Sequence, residues 1–267
     1  MRKSIKHYLS IVLSAVVFIG IFAGFAPVTK VSAAAKTPTI SNMRISNPIY
    51  TVDNKPVIYN ESTWDKYYYF CADVQDLDYS DVIYIYVHKK GVSQRKDQYY
   101  VRIPNPSKTM RFKDIINDEP GISTSGNWVI EISVERSNKF IATKTLDIIS
   151  ISKKSEKFMR TLCPNSSLSK IVNDSLRLST GSSARGIVRE SFPTSLTISD
   201  RDFVLNMYTR ILGRDADPSG YQYWYNRLAA VYNKGNAARL KERKAVLEDF
   251  IWTQEFKNRC ATLNLTW

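Results

Sequence analysis

The chain has 267 residues, 43% hydrophobic and 24% charged, which is enough apolar material for about two domains of ordinary size and excludes global disorder. Lys and Arg number 38 against 25 Asp and Glu, a formal charge of +13; removing the four cations of the first 35 residues (Arg2, Lys3, Lys6, Lys30) leaves 34 against 25, or +9. That balance favours anionic surfaces such as wall polymers, acidic glycans or lipid headgroups. The cations are scattered among acids, and no recognition helix, zinc finger or RNA-binding aromatic motif accompanies them, so nucleic acid is not an expected partner.

Residues 1–35 read as a signal peptide. They combine a basic start, an apolar run over 9–26, and the small residues Ser32, Ala33, Ala34 and Ala35 beyond Pro27, with cleavage expected after Ala33 or within the next two residues. The competing reading is a retained anchor, which the run is just long enough to form. Pro27 and the alanine-rich end favour cleavage, and no later segment is apolar enough to cross a bilayer.

From 36 to 151 the hydrophobic period is two and the apolar residues are mostly β-branched or aromatic. The runs include Ile40, Met43 and Ile45; 67–74; 82–87; Tyr99, Val101 and Ile103; Trp128, Ile130, Ile132 and Val134; and 140–151. Turn formers separate them, among them Asp53-Asn54, Lys90-Gly91 and Ser137-Asn138. The spacing predicts an antiparallel β-sandwich of seven or eight strands. The opening around Ile40 to Pro48 and the Gly126-Asn127-Trp128 start of a strand resemble the immunoglobulin-like modules of bacterial surface proteins, which serve as spacers, adhesins or binding platforms. The cluster Tyr67-Tyr68-Tyr69-Phe70 suggests a sugar-stacking surface, but alternation along a strand buries at least two of the four.

Beyond 152 the period becomes helical, giving a multi-domain β plus α chain in which a small all-α module follows the sandwich. Segments 156–163, 168–178 and 185–192 are amphipathic, and Pro193 ends the last of them. They form a helical linker or degenerate repeat over 152–198. In 199–267, Ser199 or Asp200 caps a helix carrying Phe203, Val204, Met207, Tyr208, Ile211 and Leu212 on one face, and Gly213 ends it. Asp217 with Pro218 starts a second helix bearing Tyr221, Trp224, Tyr225 and Leu228. A third runs over 237–252 with Leu240, Leu247, Phe250 and Ile251 inward, and Thr253 caps a last one.

The run Leu212-Gly213-Arg214, then Asp217, Gly220 and Trp224, and later Phe250, Thr253, Glu255 and Phe256, resembles the bacterial exported-protein module known as domain of unknown function 4214. The resemblance spans about 60 residues. It implies a secreted or surface location beside other extracellular modules, and it carries over no catalytic residue. Residues 187–195 resemble 246–254, which suggests a worn preceding copy of the module over 156–195.

Asp215, Asp217, Ser219 and Gly220 imitate the start of a calcium loop, but Asn226 stands where the closing Glu belongs, and a helix start already accounts for the segment. No metal or cofactor is therefore expected. The basic stretch 239–244 reads as a solvated helix face. Three cysteines follow the leader: a Cys163 to Cys260 disulfide with Cys71 buried is one reading, and three reduced thiols the other. His88 is the single histidine after the leader, and neither it nor Cys71 sits in a nucleophile signature. Glycine-rich phosphate loops, Cys/His metal spacing and Gly-x-Ser-x-Gly elbows are absent from the sequence. The expected function is a secreted or cell-surface, non-catalytic interaction protein whose partner is an extracellular protein or glycan, including anionic wall polymer. The alternatives are a carbohydrate-binding accessory module and an extracellular glycan hydrolase, whose two acids need no local motif.

Overall fold

The computed structural model describes residues 36–61, 68–92, 99–104, 109–115, 122 and 124–267. The leader and Tyr67 lie outside the described residues. Residues 36–267 form one compact unit.

Among the described residues its first half contains nine strands: β1 (Thr39–Ser46), β2 (Tyr50–Val52), β3 (Lys55–Tyr59), β4 (Tyr69–Gln75), β5 (Val82–Lys89), β6 (Tyr99–Pro104), β7 (Met110–Ile115), β8 (Gly126–Arg136) and β9 (Lys139–Ile151). They form a three-stranded sheet, β1-β4-β7, and a six-stranded sheet, β2-β3-β9-β8-β5-β6. Alternation along the strands supplies the core between them: Phe70, Ala72 and Val74 from one sheet meet Ile83, Ile85, Ile130, Ile132 and Val134 from the other. Two hairpins turn on the residue pairs singled out above. Asp53 and Asn54 both have positive φ (49° and 61°), as do Ser137 and Asn138 (50° and 62°), the backbone a two-residue turn needs to match strand twist.

The expectation of a wholly antiparallel arrangement needs correction. Strand β3 pairs with β9 in parallel, Val57 opposite Ile149 and Tyr59 opposite Ile151. The Asp53-Asn54 hairpin reverses the chain before it reaches the free edge of β9, and that reversal sets the direction.

The second half contains seven helices: α1 (Lys153–Leu162), α2 (Leu168–Ser179), α3 (Ala184–Ser191), α4 (Asp200–Asn206), α5 (Pro218–Ala229), α6 (Asn236–Ile251) and α7 (Gln254–Leu263). Six of them start at a Ser, Thr or Asp whose side chain accepts a backbone N–H: Ser152, Ser167, Ser183, Ser199, Asp217 and Thr253. Helix α4 opens into a π-helical stretch over Met207–Leu212, where an ordinary helix was expected. Gly213 closes that stretch in the left-handed conformation (φ 71°). None of the described helices is long and apolar enough to cross a membrane.

Segments 152–198 and 199–267 share one core that includes Phe158 and Leu162 of α1, Ile187 of α3, Phe203 of α4 and Phe250 of α6. A smaller cluster ties the halves together: Val52, Val57, Ile149 and Ile151 of the sheet close over Val172 of α2, which is fully buried. Since β9 runs into α1 with only Ser152 between them, the edge of the larger sheet is fixed against the first two helices.

Candidate functional site

At this joint lies a cleft of about 380 Å³ lined by Tyr50, Tyr59, Lys153, Glu156, Lys157, Arg160 and Thr161. The β2–β3 hairpin supplies the tyrosines and α1 the remainder, because positions 153, 157 and 160 fall on one face of a helix. Glu156 is buried at the floor (3% exposed). It accepts hydrogen bonds from the Tyr50 hydroxyl (2.8 Å), the Tyr59 hydroxyl and Arg160 Nε (2.6 Å). The Arg160 guanidinium also lies 5.1 Å from the centre of the Tyr50 ring.

Burial works against the Glu156 charge, but the donors from Tyr59, Arg160 and Tyr50 outweigh it and hold the carboxyl below its ordinary value. The same burial, together with the Glu156 hydrogen bond, raises both tyrosines, so their hydroxyls stay protonated as donors. Glu61 completes the joint by accepting from Ser152 Oγ (2.8 Å) and the Lys153 backbone N–H (3.0 Å), which occupies the start of α1.

The motif residues of the C-terminal half form a second constellation. Arg214 grips Glu255 with two nitrogens, one at 2.8 Å, donates to the Asp215 carbonyl (2.7 Å), and lies 4.8 Å from the Tyr208 ring centre. Asp217 caps α5 through Gly220 N–H (2.8 Å), and its carboxyl is held below the usual carboxylate range by that bond, by Ser219 and by Arg214, so that it stays ionised. The Trp224 ring meets the Phe250 ring edge-on at 5.6 Å. Thr253 accepts from the Phe256 N–H at the start of α7 and donates to Phe250 O (2.8 Å), and Phe256 is fully buried. These contacts brace the turns between α4, α5, α6 and α7, with the Arg214, Asp217 and Glu255 side chains at the surface.

Gly220 is needed there, because a Cβ would collide with the Tyr208 hydroxyl and lie 2.9 Å from Asp217 Oδ2. Gly220→Ala is expected to cost about 1–3 kcal/mol, the range for forcing a methyl group into a packed site. Adding Tyr208→Phe removes the nearer obstacle. Thermal unfolding should show the double variant recovering part of the loss, and a double variant no better than Gly220→Ala alone would refute the steric account.

Other candidates do not converge. All three cysteines are free thiols, so the Cys163 to Cys260 bridge is not formed. Cys163 donates to the Ser191 carbonyl (3.3 Å), and burial raises both buried thiols, Cys260 to about 12, which keeps them protonated and unreactive. Cys71 is half-buried, on the face of β4 opposite Phe70 and Ala72, and therefore not in the core as expected. It sits in a different sheet from His88, whose Nδ1 lies 3.1 Å from its neighbour's carbonyl, Lys89 O. Tyr68 and Phe70 are each 1% exposed, as alternation required. In the calcium-like turn the Asp217 oxygens are occupied by the cap, Ser219 and Arg214, and no group of three or more metal-ligating side chains occurs among the described residues.

The stretch 239–244 is not a uniformly solvated face. Arg243 is completely buried, donating to Asp200 Oδ1 (2.8 and 2.5 Å), to Ile198 O (2.8 Å) and to Ser195 O. Leu240, expected inward, is 36% exposed, and Val246 is buried instead. The signal was present in the spacing, since 243, 247 and 250 fall on one helical face. Residue type masked it, because arginine is so seldom buried.

Residues 187–260 match the family model "Domain of unknown function (DUF4214)". The matched span opens within α3, ahead of the boundary at 199, and contains every motif residue from Leu212 to Phe256. No curated protein matches the chain.

Proposed function

We propose that this is a non-catalytic binding protein of the cell exterior, exported by its leader and built from an immunoglobulin-like platform fused to the helical module. Its partner is another exported protein or a glycan. The strand order supports the platform reading. A three-stranded sheet, opposed to one in which β9, β8, β5 and β6 follow in order, parallels the A-B-E and G-F-C-C′ arrangement of such domains.

The observation that carries the functional reading is the chemistry of the cleft. Glu156, the one carboxylate among the described residues that line it, is held ionised by three donors. Hydrolysis of a glycosidic bond uses two carboxyl groups, one of them with a raised pKa. A floor neutralised in this way suits holding a ligand more than reacting with it.

The test is to express the full gene, sequence the N-terminus of the protein found outside the cell, and incubate that protein with wall fractions. The expected result is a chain starting at residue 34, 35 or 36 that is retained by wall material, or by an exported protein on it, and releases no reducing sugar or peptide. Release of either product, or a protein confined to the cytoplasm, would overturn the proposal.

A further inference from the structure

Most arginines of the helical half already have acidic partners: Arg160 with Glu156, Arg177 with Glu190, Arg189 with Glu248, Arg214 with Glu255, Arg227 with Glu242, and Arg239 and Arg243 with Asp200. Lys153 and Lys157 differ. Both are exposed on the rim of the cleft, and neither ammonium forms an ion pair with a described residue. With Arg160, which is itself paired with Glu156 (2.6 Å), they form a row spanning about 10 Å along α1, at 1.5 Å per residue. Facing them are two tyrosine rings whose hydroxyls are tied to Glu156. Those rings are already fixed in place, so a ligand that lies on them does not have to order them.

We infer that this cleft seats an acidic glycan chain, with a sugar face against Tyr59 and carboxylate or phosphate groups against Lys153, Lys157 and the Arg160 guanidinium that lies over the Tyr50 ring. The inference deepens the proposed function and rests on it, since the chain is held and left intact. The cleft volume lies near the lower end of the range for small-ligand sites, roughly 300–1,000 Å³, which fits a short stretch of sugar units. The length of the cationic row favours a chain carrying repeated charge over a single small anion. Recognition falls on side chains, because Glu61 and Ser152 occupy the first-turn amides of α1 that could otherwise bind an anion. Tyrosine contributes a flat apolar face with a polar edge, the combination a pyranose ring requires.

The test compares binding of the purified protein to three polymers by co-sedimentation or calorimetry: polygalacturonate, poly(glycerol phosphate) and an unsubstituted glucan. Binding to polygalacturonate, weakened as salt shortens the screening length, with little binding to the glucan, is the expected result, and binding to poly(glycerol phosphate) alone, which has no sugar ring to lie on tyrosine, would overturn the inference. Comparison of the two anionic arms tells carboxylate from phosphate. Lys153→Glu with Lys157→Glu changes exposed side chains only, so melting should be preserved while affinity falls by roughly tenfold or more, the equivalent of two modest charge contacts. Glucan bound as tightly as the anionic polymers, an undiminished affinity in the double variant, or no binding to any of the three would overturn the inference. In the last case the proposed function would survive if the wall-retention experiment succeeds. Release of sugar from the polymers would overturn that function itself.

Discussion

Arg243→Met is expected to destabilise the helical half by about 3–5 kcal/mol, the range for removing one partner of a buried ion pair. The magnitude follows from what remains behind. Asp200 is nearly buried and would keep only the Arg239 contact at 3.2 Å, while the carbonyls of Ser195 and Ile198 would lose their donor. Methionine matches the stem of arginine in length and flexibility, so lost packing contributes little. Asp200→Asn combined with Arg243→Met removes the stranded charge, and denaturant unfolding should show the pair costing less than the sum of the single changes. A loss below about 1 kcal/mol for Arg243→Met would place the guanidinium in water and contradict the burial.

Glu156→Gln is expected to lower stability at neutral pH by about 1–3 kcal/mol, because a buried carboxylate accepting charge-assisted hydrogen bonds becomes a neutral amide with one acceptor oxygen. The pH dependence has a definite sign. The folded carboxyl lies below its ordinary value of 4.5, so its contribution is complete above that value and disappears as pH falls through the folded pKa. The gap between wild type and variant should therefore be constant from about pH 6 upward and shrink in acid below 4.5. Other depressed carboxyls, such as Asp81 beside Arg136 and Glu190 beside Arg177, add their own acid sensitivity to both proteins and cancel in the difference. Urea unfolding at several pH values measures that gap, and a gap that widens in acid would reverse the assignment. Since Glu156 joins α1 to both tyrosines of the β2–β3 hairpin, the same variant should loosen the cleft and weaken whatever occupies it.

Local chemistry was legible in the chain from the start. The helix starts at Ser199, Asp217 and Thr253, the stop at Gly213, and the hairpin turns at Asp53-Asn54 and Ser137-Asn138 depend on residues within a few positions of one another. The DUF4214 motif was readable for the same reason, as Arg214, Asp217 and Gly220 lie within one turn and its helix start. The change of period near 152 separated sheet from helix correctly because alternation and the 3.6-residue repeat are properties of a short window.

What sequence could not deliver were partners brought together by the folded chain. The Tyr50 and Tyr59 hydroxyls reach Glu156 across 106 and 97 positions, and Arg243 reaches Asp200 across 43. No spacing rule connects such pairs, so a buried arginine read as a surface one and the cleft was not foreseen. The parallel seat of β3 on β9 and the core shared by 152–198 with 199–267 have the same origin. Backbone preference and side-chain period act over a few residues and fix the elements, whereas burial is a property of the assembled surfaces and only the tertiary fold decides which charges it encloses.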